Sequence, residues 1–389
     1  QDKKAVHDLS QPLANRYRML LNAIPPNRHT IQDPFTPPDP DAFTTHVCGN
    51  DWASVADLQS GYEQMLMAAN SRDYYAYMNQ VFGQVRPTRL VQGATNSVAQ
   101  FQRALILGVV LYTLGLCMVF IDDLNLGWPP RGMFDPAALD PETGMLLTEK
   151  AHIEKLVLMF MACDRMGAML SLWKSKFGWR EIKSLGIMIN EFGRRPDPKM
   201  VDKIYAKGMP KTTKEIRSWM GSVVWLAKWI ARFQLIVTPI ANMLKKESEF
   251  LWTEMCTKAY NKIFELLKKA PTLAKPRYGP STGRFVLSTD ASIQGIAWVL
   301  EQELNSQTEE TAPILFGSRR WPGHMAHYDT PRQELYAFVV ALRYVEPLIL
   351  GQNLLVLTDS KTVYFIVTHI TKITLTRPYS YIVPYLLQV

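Results

Sequence analysis

The first 50 residues carry few apolar runs and are interrupted by Pro25-Pro26, Pro34, Pro37-Pro38 and Pro40. Such a stretch reads as extended and irregular. From 51 to 126, short apolar runs alternate with polar breaks, as strands and helices in alternation would. The runs 53–56 and 117–121 read as buried strands. Residues 127–147 read as a loop, punctuated by Gly127, Pro129-Pro130, Pro136 and Pro141. Residues 148–192 begin as helix and continue as strands around Phe177 and over 185–189. In KTTKEIRSWMG, Thr212 or Thr213 can cap a helix with Glu215 in its first turn. Trp219, Val223, Leu226 and Ile230 then recur at helical spacing, which predicts a helix over 212–230. A second helix, 253–269, buries Ala259, Ile263 and Leu266. Pro276 and Gly279-Pro280 mark a boundary. Beyond it, strands are predicted at 285–288, 296–300 and 354–358, and a helix at 334–344. There is no internal repeat.

One apolar run tests for a membrane span. Residues 104–121 carry no charge, and a run of about 18 is the lower limit for crossing a bilayer. Gly108, Tyr112, Thr113 and Gly115 interrupt it, and Asp122-Asp123 close it. A helix ending near Leu114 followed by the buried strand 117–121 accounts for the same run, and no membrane partner is expected. The N-terminus is polar, unlike a signal peptide, and the absence of an initiator Met reads as a fragment or a processed product.

The composition is that of a globular chain of two to three domains: 389 residues, 47% hydrophobic and 20% charged. The net charge of +8 is unevenly placed. Residues 150–277 hold 25 Lys and Arg against 11 Asp and Glu, a net +14, and the remainder is net −6. A basic middle can grip phosphates, or it can be a set of solvated helix faces. Lys211, Lys214 and Arg217, around the start of the 212–230 helix, are the candidate phosphate contacts. Cys48, Cys117, Cys163 and Cys256 form no C-x-x-C pair, which argues against a disulfide framework or zinc site and fits a reducing, intracellular setting. His324 and His327 lack neighbouring acids or thiols at ligand spacing.

Two groups of acids carry candidate chemistry. FIDD, residues 120–123, delivers two adjacent carboxylates from a strand into a turn. Two Mg²⁺ ions at a phosphoryl-transfer site would stabilise them, and Asp57, at the end of the run 53–56, is a candidate third carboxylate. An Asp-Asp pair is also an ordinary turn. Near the C-terminus, Asp290 ends FVLST, Glu334 opens the helix of RQELYA, and Asp359 ends LLVLT. These three could converge on divalent metal, or serve separately as helix caps and first-turn acids.

The order of motifs carries a resemblance. ADLQSGYEQ (56–64), LVQGATNSVAQFQRA (90–104) and VFIDDLNL (119–126) resemble the palm of reverse transcriptases from gypsy-class LTR retrotransposons, fungal ones especially. KSKFGWREIKSLGIMI (174–189) resembles the end of that palm. PKTTKEIRSWMG (210–221) and FLWTEMCTKAYNKIFELLKKAPTL (250–273) resemble the thumb and connection. FVLSTDASIQGIAWVLEQE (285–303) resembles the tethered RNase H.

The resemblance implies an α+β right-hand polymerase followed by an RNase H-like α/β domain. Residues 1–50 would be partial fingers, 51–192 the palm with remaining fingers, 193–278 a basic thumb and connection, and 279–389 the RNase H-like domain. It implies RNA-directed DNA polymerase activity with Asp57, Asp122 and Asp123 binding Mg²⁺ or Mn²⁺. Asp290, Glu334 and Asp359 would be the RNase H metal ligands. Tyr62 would be the steric gate against a ribose 2′-OH, Gln92 would contact the incoming nucleotide, and Lys174 would support the primer side of the palm. The implied partners are an RNA or DNA template-primer, RNA–DNA hybrid, dNTPs, and the protease and integrase of a Pol polyprotein. The implied location is a cytoplasmic virus-like particle or the nucleus. The chain departs from the pattern in its fingers, where either Asn22 and Ile24 or Asp8 takes the place of the family's Arg-x-x-x-Asp-Tyr-Arg motif. It also departs in the missing upstream finger segment and in the missing helix with a fourth RNase H acid. These departures leave a second reading, a catalytically weakened or domesticated nucleic-acid-binding relic.

Overall fold

The computed structural model describes residues 21–245, 249–279, 282–305, 310–322 and 325–369. Asp8 and His324 lie outside them. The chain divides into two compact units, 1–182 and 183–389.

In the first unit, α1 (Pro40–Val47) forms where an irregular chain is expected. Asp39 explains it: its carboxylate accepts the N–H groups of Asp41 and Ala42, with Pro40 at the first helical position. Next come β1 (Ala53–Asp57), the helical turn α2 (Gly61–Gln64), the hairpin β2 (Tyr77–Asn79) and β3 (Gly83–Val85), and α3 (Ser97–Leu105). The uncharged run is no membrane helix. After α3 it makes one π-type turn, Ile106–Val110, turns through Leu114 and Gly115, and enters β4 (Cys117–Phe120). Among the described residues no helix is long and apolar enough to cross a membrane. β5 (Asp123–Gly127), α4 (Leu147–Met166) and β6 (Lys176–Trp179) complete the unit.

The sheet order is β4-β5-β1-β6, antiparallel throughout. Its two central strands are almost wholly buried, because Phe101, Leu105, Val119, Leu124, Leu126 and Met159 from α3, α4 and the strands form one core over it. Burial of that apolar area is what holds the strand ends in place.

The second unit begins within β7 (Glu181–Ser184), the first strand of a sheet ordered β7-β8-β9 with β8 (Ile187–Asn190) and β9 (Gly193–Pro196). The strand expected at 185–189 starts two residues late, at Ile187, because Leu185 and Gly186 both take positive φ in the turn that parts it from β7. Then follow α5 (Pro198–Tyr205), α6 (Thr213–Val224), α7 (Phe233–Ile236), α8 (Thr238–Asn242) and α9 (Glu254–Lys268). The predicted helix 212–230 ends early, at Val224. Trp219, Val223, Leu226 and Ile230 are all buried as expected, but the last two lie in a tighter turn and an extended exit. Thr212 is the cap, accepting the Glu215 N–H at 3.2 Å. In α9, Ala259 and Ile263 are buried, but Leu267 takes the position expected of Leu266. Tyr205, Trp219, Tyr260 and Phe264 pack into the aromatic centre that joins α5, α6 and α9.

The C-terminal sheet has the order β12-β11-β10-β13, from β10 (Phe285–Ser292), β11 (Gly295–Glu303), β12 (Thr311–Arg320) and β13 (Leu354–Leu357). The first three are antiparallel and β13 runs parallel to β10. α10 (Thr330–Ile349) makes the crossover and packs on β10 and β11, and α11 (Lys361–His369) packs on α10. β12 has no counterpart in the apolar pattern. It is an edge strand of mostly half-buried residues, with Pro313 at an irregularity in the register.

Candidate active sites

The β4–β5 hairpin fixes the first site. Phe120 pairs with Asp123, so Ile121 and Asp122 form a two-residue loop. Ile121 adopts φ +54°, a costly conformation for a β-branched residue. Gln102, fully buried on α3, holds it there: its side-chain carbonyl accepts the Ile121 N–H at 2.6 Å, and its amide donates to the Val119 carbonyl at 2.9 Å. Gln102 was not singled out by the sequence, where a buried amide in an amphipathic helix looks like any polar residue.

β5 pairs antiparallel with β1, which sets Asp57 directly opposite Asp123. The Leu58 N–H also bonds the Asp122 carbonyl at 3.1 Å. The three acids thus share one sheet edge. Asp123 reports their crowding: burial first, then the Asp122 and Asp57 charges, push its carboxyl up to about 6 against a partial opposing pull from Lys174. Asp57 is held from the other side. Its carbonyl accepts the Ser171 N–H at 2.7 Å, its N–H donates to Ser175 Oγ at 3.2 Å, and its carboxylate receives Lys174 Nζ at 2.9 Å. Lys174, expected on the primer side of the palm, here sits on Asp57.

Tyr62 on α2 is half-buried against Phe101, with ring centroids 5.0 Å apart. Burial and then the Asp122 charge raise its hydroxyl above the usual phenol range. A cavity of about 560 Å³ is lined by Tyr62 and Gln92 together with Ser60, Tyr77, Arg86 and Arg89. The two arginines were also overlooked in the sequence; Arg86 and Arg89, spaced around a proline just before LVQG, were the available signal.

In the second site, Asp290 lies within β10 opposite Ala297, because that strand runs to Ser292, beyond its predicted end at 288. Ser288 pairs with Leu357 in the parallel ladder, so Asp290 and Asp359 lie equally far beyond it. Asp359 follows the strand by two residues and is not the cap of α11; Ser360 Oγ accepts the Val363 N–H instead. α10 begins at Thr330, so Glu334 stands one turn inside it. It continues the stripe of Phe338, Ala341 and Val345 that faces the sheet. The Asp290 carboxylate receives Arg232 Nη2 at 2.6 Å.

Oxygen-only donors suit Mg²⁺ or Mn²⁺, and Asp57, Asp122 and Asp123 offer only such donors. Among the described residues, however, no three His, Cys, Asp or Glu side chains gather tightly enough to hold a metal in this arrangement. The expected convergence is incomplete, and in each cluster a basic side chain has drawn one carboxylate to itself. Lys211, Lys214 and Arg217 are all exposed around the start of α6, where Thr212 has already taken one of the end N–H groups.

Residues 252–356 match the family described as the RNase H-like domain found in reverse transcriptase. The chain is 28% identical over 349 residues to the retrovirus-related Pol polyprotein from transposon 297 of Drosophila melanogaster, across 89% of this chain and 30% of that protein. It is 25% identical to the corresponding polyprotein from transposon gypsy, across 94% and 34%. The chain therefore spans about a third of the length of these relatives. Foamy viral protease-reverse transcriptase in complex with dsDNA superposes with a TM-score of 0.74 at 21% identity, across 96% of this chain and 74% of that one. The same protein with RNA/DNA hybrid gives 0.70 at 21%, across 95% and 47%. The fold is that of a right-hand polymerase with an RNase H-like domain. Its homologues are Pol polyproteins of LTR retrotransposons, gypsy among them.

Proposed function

We propose that this chain is an RNA-directed DNA polymerase with a tethered RNase H, from a retrotransposon Pol polyprotein whose protease and integrase lie elsewhere. The observation that carries this reading is the pairing of Asp57 with Asp123 across β1 and β5, with Asp122 in the adjoining turn. In the reaction a primer 3′-oxygen bonds to the α-phosphorus of a dNTP, the bond to pyrophosphate breaks, and the hydroxyl proton is lost. Divalent Mg²⁺ or Mn²⁺, when bound, supplies charge neutralisation and a lowered hydroxyl pKa. Asp57, Asp122 and Asp123 are the residues to hold it. Tyr62, at the cavity wall, would be the gate against a ribose 2′-OH, Gln92 would meet the nucleotide, and Lys174, paired with Asp57, would support the primer side. Asp290, Glu334 and Asp359 form the hydrolytic site for RNA in a hybrid. The place of work in this reading is a cytoplasmic virus-like particle or the nucleus.

A second reading is a nucleic-acid-binding relic, favoured by the basic side chains seated on Asp57 and Asp290. One experiment separates the two. The chain should extend a primed RNA template with dNTPs and Mg²⁺, and Asp122→Asn should lower extension at least a thousandfold with binding of the template-primer within about twofold. Binding without extension by the unaltered chain would leave only the relic.

A further inference from the structure

Ser54 on β1 and His152 on α4 are buried polar residues with no part in the sites described above. Their side chains meet at 2.8 Å, Ser54 Oγ against His152 Nε2. The other ring nitrogen, Nδ1, lies 2.8 Å from the Trp128 carbonyl. Burial pulls the imidazole below its ordinary pKa, against a smaller opposing effect of the bond to Trp128, so the ring is neutral at pH 7. A carbonyl only accepts, so Nδ1 carries the proton and Nε2 accepts the Ser54 hydroxyl. Ser54 Oγ in turn accepts the Gly178 N–H of β6 at 2.9 Å. The hydrogen bonds run one way, from Gly178 through Ser54 and His152 to Trp128, and each donor along them has its acceptor.

They close a weak point of the palm sheet. β6 is an edge strand of four residues, three of them exposed. It meets β1 at Ala53–Trp179 and Val55–Lys176, with one residue more on β6 than on β1 between the two pairs. Gly178 takes φ +66° in this bulge, and the Ser54 side chain binds its N–H where the ladder is interrupted. Just ahead of β6, Ser171, Lys174 and Ser175 hold Asp57 by its carbonyl, carboxylate and N–H. That grip depends on β6 staying on β1.

The charged groups on the elements around the ring are Glu149 and Lys155 on α4, Asp51 and Asp57 before and on β1, Arg131 after Trp128, and Lys176 and Arg180 on and after β6. Lys155 lies over the Trp128 ring, Lys176 over Trp179 and Arg180 over Trp52. Burial, and no charge among these, sets the state of His152.

We propose that Ser54 and His152 form an acid-released latch, which keeps β6 on β1, and with it Lys174 and Ser175 on Asp57, while the imidazole is neutral. A proton on Nε2 turns an acceptor into a donor. The Ser54 hydroxyl then faces a second donor and loses the acceptor of its own proton, beside a buried charge. Departure of β6 from the edge relieves both. The open form takes up a proton that the closed form refuses, so the latch is fully made above about pH 6.5 and is released as pH falls below that value. Ser54 and His152 are positioning residues, since neither touches a reacting group. The bearing on nucleotidyl transfer rests on the polymerase reading of Asp57; the latch itself does not.

Hydrogen–deuterium exchange of the full chain tests this, read by mass spectrometry over 171–179 and corrected for the intrinsic pH dependence of exchange. From about pH 7.5 to about pH 5 the protection of this segment should fall roughly five- to thirtyfold, as uptake of one proton allows, while α3 keeps its protection. His152→Gln offers Ser54 an amide oxygen that does not titrate in this range. It should hold the segment with less than about a twofold change over the same range. Ser54→Ala removes both bonds to the hydroxyl and should exchange severalfold faster at neutral pH.

A pH response of the same size in His152→Gln would overturn the proposal, because another group, such as Asp123 with its carboxyl at about 6, would then drive it. So would indifference of 171–179 to acid in the unaltered chain, a parallel loss of protection in α3, or unchanged exchange in Ser54→Ala. None of these outcomes touches the polymerase reading, which stands or falls on extension of a primed template.

Discussion

Tyr62 joins the aromatic core to the polar edge of the palm. One face of its ring lies on Phe101, and its hydroxyl feels the Asp122 charge. Gly61 makes the approach possible, since a Cβ there would meet the Phe101 ring at 2.6 Å. A ring so held has a fixed position at the cavity wall, as a steric gate requires. Tyr62→Ala should raise incorporation of ribonucleotides at least tenfold relative to deoxyribonucleotides in single-nucleotide extension. An active variant with unchanged discrimination would leave Tyr62 a packing role alone. Gln102 carries a different weight, since one end of its amide holds the Ile121 N–H of the loop and the other the Val119 carbonyl of β4. Gln102→Leu keeps the volume but leaves the Ile121 N–H without its acceptor, and a buried unsatisfied donor costs about 1–3 kcal/mol. The variant should unfold at lower urea by that amount and extend primers more slowly. An unchanged midpoint would show that the loop holds itself.

At the scale of elements, α6 offers the plainest test of the basic middle. Lys211, Lys214 and Arg217 are exposed, while Ile216, Trp219 and Val223 on the other side are buried. Changing all three to Glu therefore leaves the packing intact. In the full chain this should weaken duplex and hybrid binding at least tenfold. It should also reduce the salt slope, which runs at about 0.9 per neutralised phosphate on a duplex. An unaltered slope would mean that phosphates bind elsewhere. The same helix shows what periodicity can and cannot give. Its buried positions and its Thr212 cap were legible, because both are local. Its end at Val224 was not, because Leu226 and Ile230 are buried by tertiary packing after the helix has stopped. α1 went unseen for the converse reason: the prolines that suggest irregularity also include the one that starts a helix. β12 has too little buried on either face for an alternation to appear.

Over the whole molecule, the acids were legible because they stand in or near strands and on a helix in a recognisable order. The cations that hold them were not. Nothing in the sequence connects Lys174 with Asp57 or Arg232 with Asp290, which come together only through the β1–β6 pairing and the docking of α7. Gln102, in the same way, meets its partner 19 residues on only because α3 crosses β4.

The parallel pairing of β10 with β13 bears on the order in which the two sites can come into being. The palm acids and their hairpin lie within 53–127, and α4 and β6 complete their sheet soon after. Asp359 follows the last strand of its sheet, roughly 230 residues behind that hairpin. At ribosomal rates of roughly 5–20 residues per second, the nascent chain carries the finished Asp57–Asp123 sheet for about 10–35 s before Asp359 is made. For that interval the first group of acids stands on a finished sheet while the second still lacks its last strand.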